Sequence, residues 1–111
     1  MLCLSPVQAA KYNYYGALAI SQGNGASGTS SKRVSYENAR DWALHYCGEY
    51  ADDCEIAVYF VNTCAAVARG ENGGYGTGRS NSLNTAKSVA MASCRRYDTG
   101  CVQRASSCSR P

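Results

Sequence analysis

The chain has 111 residues, a formal net charge of +3, seven cysteines and a single histidine. A chain of this length corresponds to one domain, and its use of cysteine argues against a cytosolic enzyme and for an oxidising compartment. No segment approaches the roughly 20 apolar residues that a membrane-spanning helix needs, so we expect no transmembrane segment.

The N-terminal stretch MLCLSPVQA is apolar and uncharged, and it ends in small residues spaced like a cleavage site before Ala10. We therefore expect residues 1–9 to be the remnant of a signal peptide and residues 10–111 to form a single domain. A frayed apolar arm of the mature domain is the alternative. Cleavage before Ala10 would remove Cys3 and leave six cysteines, an even number that can pair completely.

Two strands, a helix and a third strand follow. The dipeptide Asn24-Gly25 accepts the positive φ angles of a type I′ turn, and it separates two predicted strands, Tyr14–Ile20 and Ala26–Thr29. Ser35 stands where its hydroxyl can cap a helix. The helix carries an apolar stripe at helical spacing, formed by Ala39, Trp42, Ala43, Tyr46 and Cys47, and we expect this stripe, including Tyr46, to face the core. The apolar run Glu55–Val61 then predicts a buried strand.

The same order of elements recurs in the rest of the chain. Asn72-Gly73 separates two predicted strands, Cys64–Arg69 and Gly74–Gly78, and Ser82 can cap a second helix. The stripe of this helix lies 47 residues beyond the first and consists of Ala86, Val89, Ala90, Ser93 and Cys94. The polar run Val102–Cys108 predicts a final strand at the edge of a sheet.

These patterns predict an α+β fold built from a duplicated β-β-α-β unit, over about residues 14–61 and 64–108. We expect the two units to form one mainly antiparallel sheet, with two helices packed on one face. Disulfide bonds should staple this fold, because a chain of this size gains much from cross-links.

The cysteine spacing follows the repeat. Cys47 and Cys54 enclose six residues at the corner between the first helix and the next strand, and Cys94 and Cys101 enclose six at the equivalent corner. Such a loop can reverse the chain and bring two Cα atoms within the roughly 4.4–6.8 Å that a disulfide requires. On this symmetry we predict that each of these pairs is bridged, which leaves Cys64 and Cys108 to join each other.

No cluster of residues predicts catalysis or the binding of a metal or cofactor. His45 lies two residues before Cys47, so on a helix the two side chains point about 200° apart, and a bridged cysteine offers no thiolate. The cysteine spacings lack the close pairs of common zinc sites. The glycine-rich stretch Gly70–Gly78 leads along a strand, whereas a phosphate-binding loop opens onto a helix. We therefore expect a protein without enzymatic activity, cofactor or metal.

Charge and tyrosine content indicate a candidate binding surface, with scattered solubilising charge as the alternative interpretation of the basic residues. Through Asn62 the chain has four basic and six acidic residues, and beyond it seven basic and two acidic ones. Tyrosine, present nine times, offers contact area at a small entropy cost. We place the candidate surface on the second unit, at Tyr75, Arg79, Arg95 and Arg96. The expected partner is another protein, with an envelope glycan as the alternative, and no nucleic-acid-binding motif is present.

Several stretches of the chain resemble the bacterial domain-of-unknown-function family DUF4189. They are YYGALAIS, ALHYC, DDCEIAVYFVNTCAAVARGENGGYGTG and ASCRR, and the similarity runs from about Tyr14 to Cys108. The resemblance implies the fold and export to the periplasm or the extracellular space, and it brings no agreed activity or catalytic residue. We expect an inhibitor or immunity protein, or a secreted effector. The alternative is a structural or carbohydrate-binding component of the cell envelope.

Overall fold

The computed structural model describes residues 13–111, so the proposed signal-peptide remnant and Cys3 lie outside the described residues. The secondary structure repeats the order strand, strand, helix, strand, as predicted. The first unit comprises β1 (Tyr15–Ser21), β2 (Ser27–Arg33), α1 (Tyr36–Gly48) and β3 (Cys54–Val61). The second unit comprises β4 (Cys64–Arg69), β5 (Tyr75–Ser80), α2 (Leu83–Arg95) and β6 (Val102–Cys108).

The α+β class and the antiparallel pairing are confirmed, but the strands form two sheets and not one. Each sheet has three strands, in the order β2-β1-β3 for the first unit and β5-β4-β6 for the second. Within each unit the first strand is central and pairs with both of the others. Each unit therefore completes its own sheet, and the chain crosses from one sheet to the other between Val61 and Cys64.

The two sheets face each other, and each helix covers the outer face of its own sheet. Phe60 and Leu18 of the first sheet pack against Val67 and Ala65 of the second. The outer faces are sealed by two further apolar clusters, one beneath α1 and one beneath α2. The expectation of both helices on one face is therefore wrong. β1 and β4 are buried on both sides, as their nearly continuous apolar runs allow.

The strand at each edge differs from the centre in burial. β3, predicted as a buried strand, is an edge strand in which only Val58 and Phe60 are buried. β6 lies at an edge of the second sheet, as its polar sequence predicts. The apolar content of β3 serves both faces of the sheet, because Val58 and Phe60 lie between the sheets while Ile56 and Tyr59 pack against the cluster beneath α1.

Glycine in the second strand of each unit lets the helix approach very closely. A Cβ atom on Gly28 would lie 2.0 Å from the carbonyl oxygen of Ala43 in α1, and one on Gly76 would lie 2.2 Å from the backbone nitrogen of Cys94 in α2. No side chain fits at that distance. The helix surfaces over these strands are accordingly formed by small residues, Ala39, Ala43 and Cys47 in α1.

Both predicted helix caps are present. The Ser35 hydroxyl accepts a hydrogen bond from the Asn38 backbone N–H at 3.0 Å, and the Ser82 hydroxyl accepts one from the Thr85 N–H at 3.3 Å. Among residues 13–111, no helix is long and apolar enough to cross a membrane.

The structure contains the three predicted disulfides. Cys47–Cys54 and Cys94–Cys101 close the equivalent helix-to-strand corners, with Cα atoms 6.1 and 6.2 Å apart. Cys64–Cys108 joins two residues that stand directly opposite each other in β4 and β6. Every bond therefore lies within one unit, and no disulfide of the described chain links the first unit to the second.

The two hairpin turns are not of type I′. That turn needs positive φ at both central residues, whereas only the glycines have it here, Gly25 at 83° and Gly73 at 92°. The asparagines use their side chains instead. Asn24 donates to the Tyr50 carbonyl at 3.0 Å, and Asn72 donates to the Asp98 carboxylate at 2.8 Å. Each hairpin is thereby attached to the helix-to-strand corner of its own unit.

Candidate functional site

The four residues predicted as a binding surface lie on two different layers. Tyr75 packs against the apolar cluster between the sheets, where burial, together with the nearby Glu55 carboxylate, raises the pKa of its phenol. Arg79 donates to the Tyr59 carbonyl of β3 at 3.2 Å. Arg95 and Arg96, in contrast, are exposed at the C-terminal end of α2. No hydrogen bond or cation–π contact of the described residues joins these two pairs.

A more coherent cluster of exposed aromatic residues lies on α1. Trp42 and Tyr46 belong to the stripe that the sequence predicts to face the core, yet each is 38% exposed. The buried stripe of α1 is narrower and consists of Ala39, Ala43 and Cys47. Because α1 rests almost directly on the backbone of β2, the large rings have no room beneath the helix and lie beside it. The expectation that Tyr46 belongs to the core is therefore wrong.

We call the group Arg33, Trp42, His45 and Tyr46 the aromatic face. The Trp42 and Tyr46 rings are stacked at 30° with centroids 5.6 Å apart. The imidazole of His45 lies edge-on to both rings, at 5.8 and 5.5 Å. The guanidinium of Arg33, from β2, lies over the indole ring with Cζ 4.8 Å from the centroid. The face is thus a set of rings that hold one another in place, with a cation at one end.

A β-bulge in β2 places Arg33 in this cluster. Gly28 and Ser30 both point towards α1, and the Ser30 hydroxyl donates to the Ala39 carbonyl at 2.7 Å. Strict alternation would place Lys32 next on that side. Instead the register shifts, because Tyr15 pairs with Arg33 while Ala17 pairs with Ser30. The extra residue reverses the alternation, so that Arg33 reaches the indole ring.

The backbone of the bulge adopts an uncommon conformation. Lys32 has φ of 55°, in the left-handed region that residues with a Cβ atom rarely occupy. Its backbone N–H donates to the Ser109 hydroxyl at 2.8 Å, a buried group that follows β6 in the second unit. This contact holds the bulge in place from the opposite sheet.

Comparison with known proteins identifies the domain. A family model for a domain of unknown function, DUF4189, matches residues 15–108. The chain belongs to the DUF4189 family. Searches of curated proteins and of solved structures found no match.

The second unit of the DUF4189 domain provides an internal comparison for the aromatic face. The positions 47 residues beyond Arg33, Trp42, His45 and Tyr46 are occupied by Ser80, Val89, Ala92 and Ser93. β5 pairs with β4 in regular register, without a bulge, and α2 packs on its sheet as α1 does. The same unit therefore folds without the rings and without the cation. The aromatic face is an addition to the first unit that its architecture does not require.

Three further tyrosines pack against one another at the end of the first sheet. Tyr36 makes edge-to-face contacts with Tyr15 at 4.6 Å and with Tyr59 at 5.3 Å between ring centroids. Tyr15 pairs with Val61 at the end of the β1–β3 ladder, as Cys64 pairs with Cys108 in the second sheet. Packed rings thus hold the strand ends of the first unit where a disulfide holds those of the second.

Two carboxylates fasten the hairpin turns of the DUF4189 domain. Asp53 accepts hydrogen bonds from the Ser21 hydroxyl and from the Gly23 backbone N–H, and the Ser21 bond is the main cause that lowers the pKa of this carboxyl. Asp98 accepts from Gly74 N–H and Asn72 N–H at 2.8 and 2.9 Å.

The pKa of Asp98 reflects two opposed effects. Partial desolvation raises it, but hydrogen bonds from the Thr99, Gly74 and Asn72 donors lower it overall. Both carboxylates are therefore engaged with backbone donors and serve the fold. Within residues 13–111, no group of three or more His, Cys, Asp or Glu side chains could hold a metal ion.

Proposed function

We propose that this DUF4189 protein is an exported, non-enzymatic module that binds another protein through the aromatic face of α1. The observation that carries the proposal is the asymmetry between the two units. They share one architecture, but only the first has Arg33, Trp42 and Tyr46 gathered at its surface. Rings that the fold does not need, partly open to solvent, are best explained by a partner.

The residue types favour a protein as this partner. Trp, Tyr and Arg are the side chains that most often dominate the binding energy of protein interfaces. Here they are already packed against one another, so little side-chain freedom would be lost on binding. A sugar ring would need an open aromatic face, whereas the indole of Trp42 is already covered by Arg33 and stacked against Tyr46.

Export is supported by the cross-links. Three disulfides in a domain of this size are typical of the periplasm or the extracellular space, where thiols pair and remain paired. In such a compartment the module would act as an inhibitor or immunity protein, or as a secreted effector. The genes beside its own would separate these roles, because an immunity protein is usually encoded next to its toxin.

The test uses two variants that differ in the unit they alter. W42S/Y46S removes the rings of α1, and V89S changes the equivalent exposed position of α2. Oxidised wild-type protein and both variants are used for affinity capture from a periplasmic extract, with quantitative mass spectrometry. We expect proteins captured by the wild type and V89S to be lost with W42S/Y46S. Identical capture by all three would refute the proposal.

A separate arm tests the envelope glycan as the alternative. The wild type and W42S/Y46S are sedimented with purified peptidoglycan. Sedimentation that depends on Trp42 and Tyr46 would assign the aromatic face to a glycan and not to a protein. Thermal unfolding of both variants checks that the fold is retained, which is expected because both rings lie outside the buried stripe of α1.

A further inference from the structure

We propose that the partner of the aromatic face presents a carboxylate to Arg33, beside an apolar side chain that contacts Trp42 and Tyr46. This inference rests on the proposed function and specifies the chemistry of the partner. It would make the recognised element an acidic and apolar segment of a protein, with the acidic group at the β2 end of the face.

The first support is that the Arg33 guanidinium lacks hydrogen-bond partners. Its Nε atom is buried and has no hydrogen-bond partner among the described residues. A guanidinium has five N–H donors and no acceptor, so it is satisfied only by groups such as carboxylates, carbonyls or phosphates. Arg33 is partly exposed, and its two Nη groups make no hydrogen bond to the described residues either, so these groups, and not the buried Nε, are the donors that a partner can reach. A carboxylate that accepts from both Nη groups makes a two-point contact, and the indole of Trp42 beneath the guanidinium favours one orientation of its plane.

The second support is the charge around Arg33. Within residues 13–111, Arg33 forms no salt bridge, since the contacts between basic and acidic side chains are Arg40 with Asp41 at 3.1 Å and His45 with Glu49 at 4.0 Å. Arg33 therefore has no carboxylate partner in the described chain. Lys32, exposed beside it, adds a second positive charge. This end of the face is complementary to an acidic group.

The third support is the bulge. Without the extra residue in β2, Lys32 would take the position towards α1 and Arg33 would point to the other side of the sheet. The chain adopts left-handed φ at Lys32, and this conformation directs Arg33 to the indole. Residues held in sparsely populated conformations are concentrated at binding and active sites. β5 has no such bulge, and its equivalent residue is Ser80.

The experiment selects ligands of the face from a random linear peptide library displayed on phage. Oxidised wild-type protein is the target, and W42S/Y46S is used for counter-selection. We expect the enriched peptides to carry Asp or Glu close to Leu, Met or an aromatic residue. A representative peptide is then synthesised with its acidic residue intact and with the corresponding amide, and both are titrated by following the fluorescence of Trp42, the single tryptophan of the chain.

Three variants separate charge from geometry. R33Q removes the charge and keeps a polar side chain, R33K keeps the charge without the planar fork, and R95Q makes the same charge change at an exposed position of α2, in the other unit. We expect R33Q to weaken binding of the acidic peptide by about tenfold or more, R33K to weaken it by less, and R95Q to change the Kd by less than about twofold. On the wild-type protein, the amide peptide should bind more weakly than the acidic peptide by the same factor by which R33Q weakens the acidic peptide. On R33Q, the two peptides should bind with equal affinity.

Each outcome decides something. Enriched peptides without acidic residues, or equal binding to R33Q and the wild type, overturn the carboxylate inference and leave the aromatic face as a binding surface. A library that yields no peptide dependent on Trp42 and Tyr46 counts against both proposals. The amide peptide is a control that needs no change to the protein, so an R33Q variant that fails to fold does not remove the test.

Discussion

The guanidinium of Arg33 in β2 lies over the indole ring of Trp42 in α1, with Cζ 4.8 Å from the ring centroid. This contact exists because Lys32, the preceding residue, occupies the left-handed region and shifts the register of β2 by one residue. A backbone feature of one strand thus determines which side chain meets the helix. The contact between Arg33 and Trp42 can therefore be tested by substitutions at Lys32, although the Lys32 side chain takes no part in it.

Substitutions at Lys32 should separate backbone strain from side-chain contacts. Lys32→Gly should leave stability unchanged or slightly raised, because glycine adopts positive φ freely. Lys32→Val should lower the free energy of unfolding by about 1–3 kcal/mol, since a β-branched residue is strained at a φ of 55°. Urea unfolding measures the difference between the two variants. Equal stabilities would mean that the bulge does not persist in solution.

Alanine substitutions at Gly28 and Gly48 test the close approach of α1 to β2, because only the first should produce a clash. A Cβ on Gly28 would meet the Ala43 carbonyl oxygen at 2.0 Å, whereas a Cβ on Gly48 would have no atom within 4 Å. Gly28→Ala should therefore destabilise the protein by about 3 kcal/mol or more, because the helix must move away from its sheet. Gly48→Ala, at the last residue of α1, should be neutral or stabilising by up to about 1 kcal/mol.

Thermal unfolding of both alanine variants provides the comparison. A Gly28→Ala protein as stable as the wild type would contradict the direct contact between the helix backbone and β2.

The two turn-binding carboxylates predict a loss of stability in acid. The pKa values of Asp53 and Asp98 are both lowered in the folded protein, so their contribution is fully present above the unfolded-state pKa of about 3.9. It is lost as the pH falls from there through the folded-state pKa values, where protonation releases the hairpin turns. Asp98→Asn should be less stable than the wild type at neutral pH, and its stability should change less between about pH 5 and pH 2.

Melting temperatures measured across that pH range for the wild type and Asp98→Asn are the test. Parallel curves would indicate that Asp98 does not hold the turn through its charge. Asp52, an exposed neighbour of Asp53 with no hydrogen bond of its own among the described contacts, offers a control in Asp52→Asn.

The disulfides should differ in their effect on stability. Cys64 and Cys108 are 44 residues apart, whereas Cys94 and Cys101 are seven apart. In the chain-entropy view, replacing the first pair by serine costs about 4 kcal/mol and replacing the second about 2.5 kcal/mol. Denaturant unfolding of the two double variants measures this order. The reverse order would mean that the corner bond acts mainly through the folded state, by fixing the end of α2.

The pattern of elements and disulfides could be predicted because the signals for both are local. A capping serine such as Ser82, a turn glycine such as Gly73 and the corner pair Cys47–Cys54 each act within a few residues of the chain. Because the second unit repeats the spacing of the first, the elements assigned in one unit also identify those of the other. The bounds predicted for β4 and β6 agree with the structure, because a cysteine, an arginine or a turn residue stands at or next to each strand end.

The division into two sheets and the aromatic face depend on tertiary structure. Helical spacing places Trp42 and Tyr46 next to Ala39 and Cys47 on one stripe, and only the close approach of β2 decides which of them are buried. The left-handed conformation of Lys32 has no signal in the sequence, because lysine rarely adopts it. The placement of Arg33 could therefore not be predicted, and the excess of basic residues in the second unit instead favours a surface at Tyr75 and Arg79.

The confinement of every disulfide to one unit has a topological consequence. In the described chain the two halves are joined covalently only by the backbone that passes from Val61 through Asn62 and Thr63 to Cys64. Separating the sheets therefore breaks no sulfur–sulfur bond, and each half keeps its own cross-links when it parts from the other. Two fully oxidised molecules retain a route to reciprocal exchange of halves, with the tether at Asn62 as the hinge.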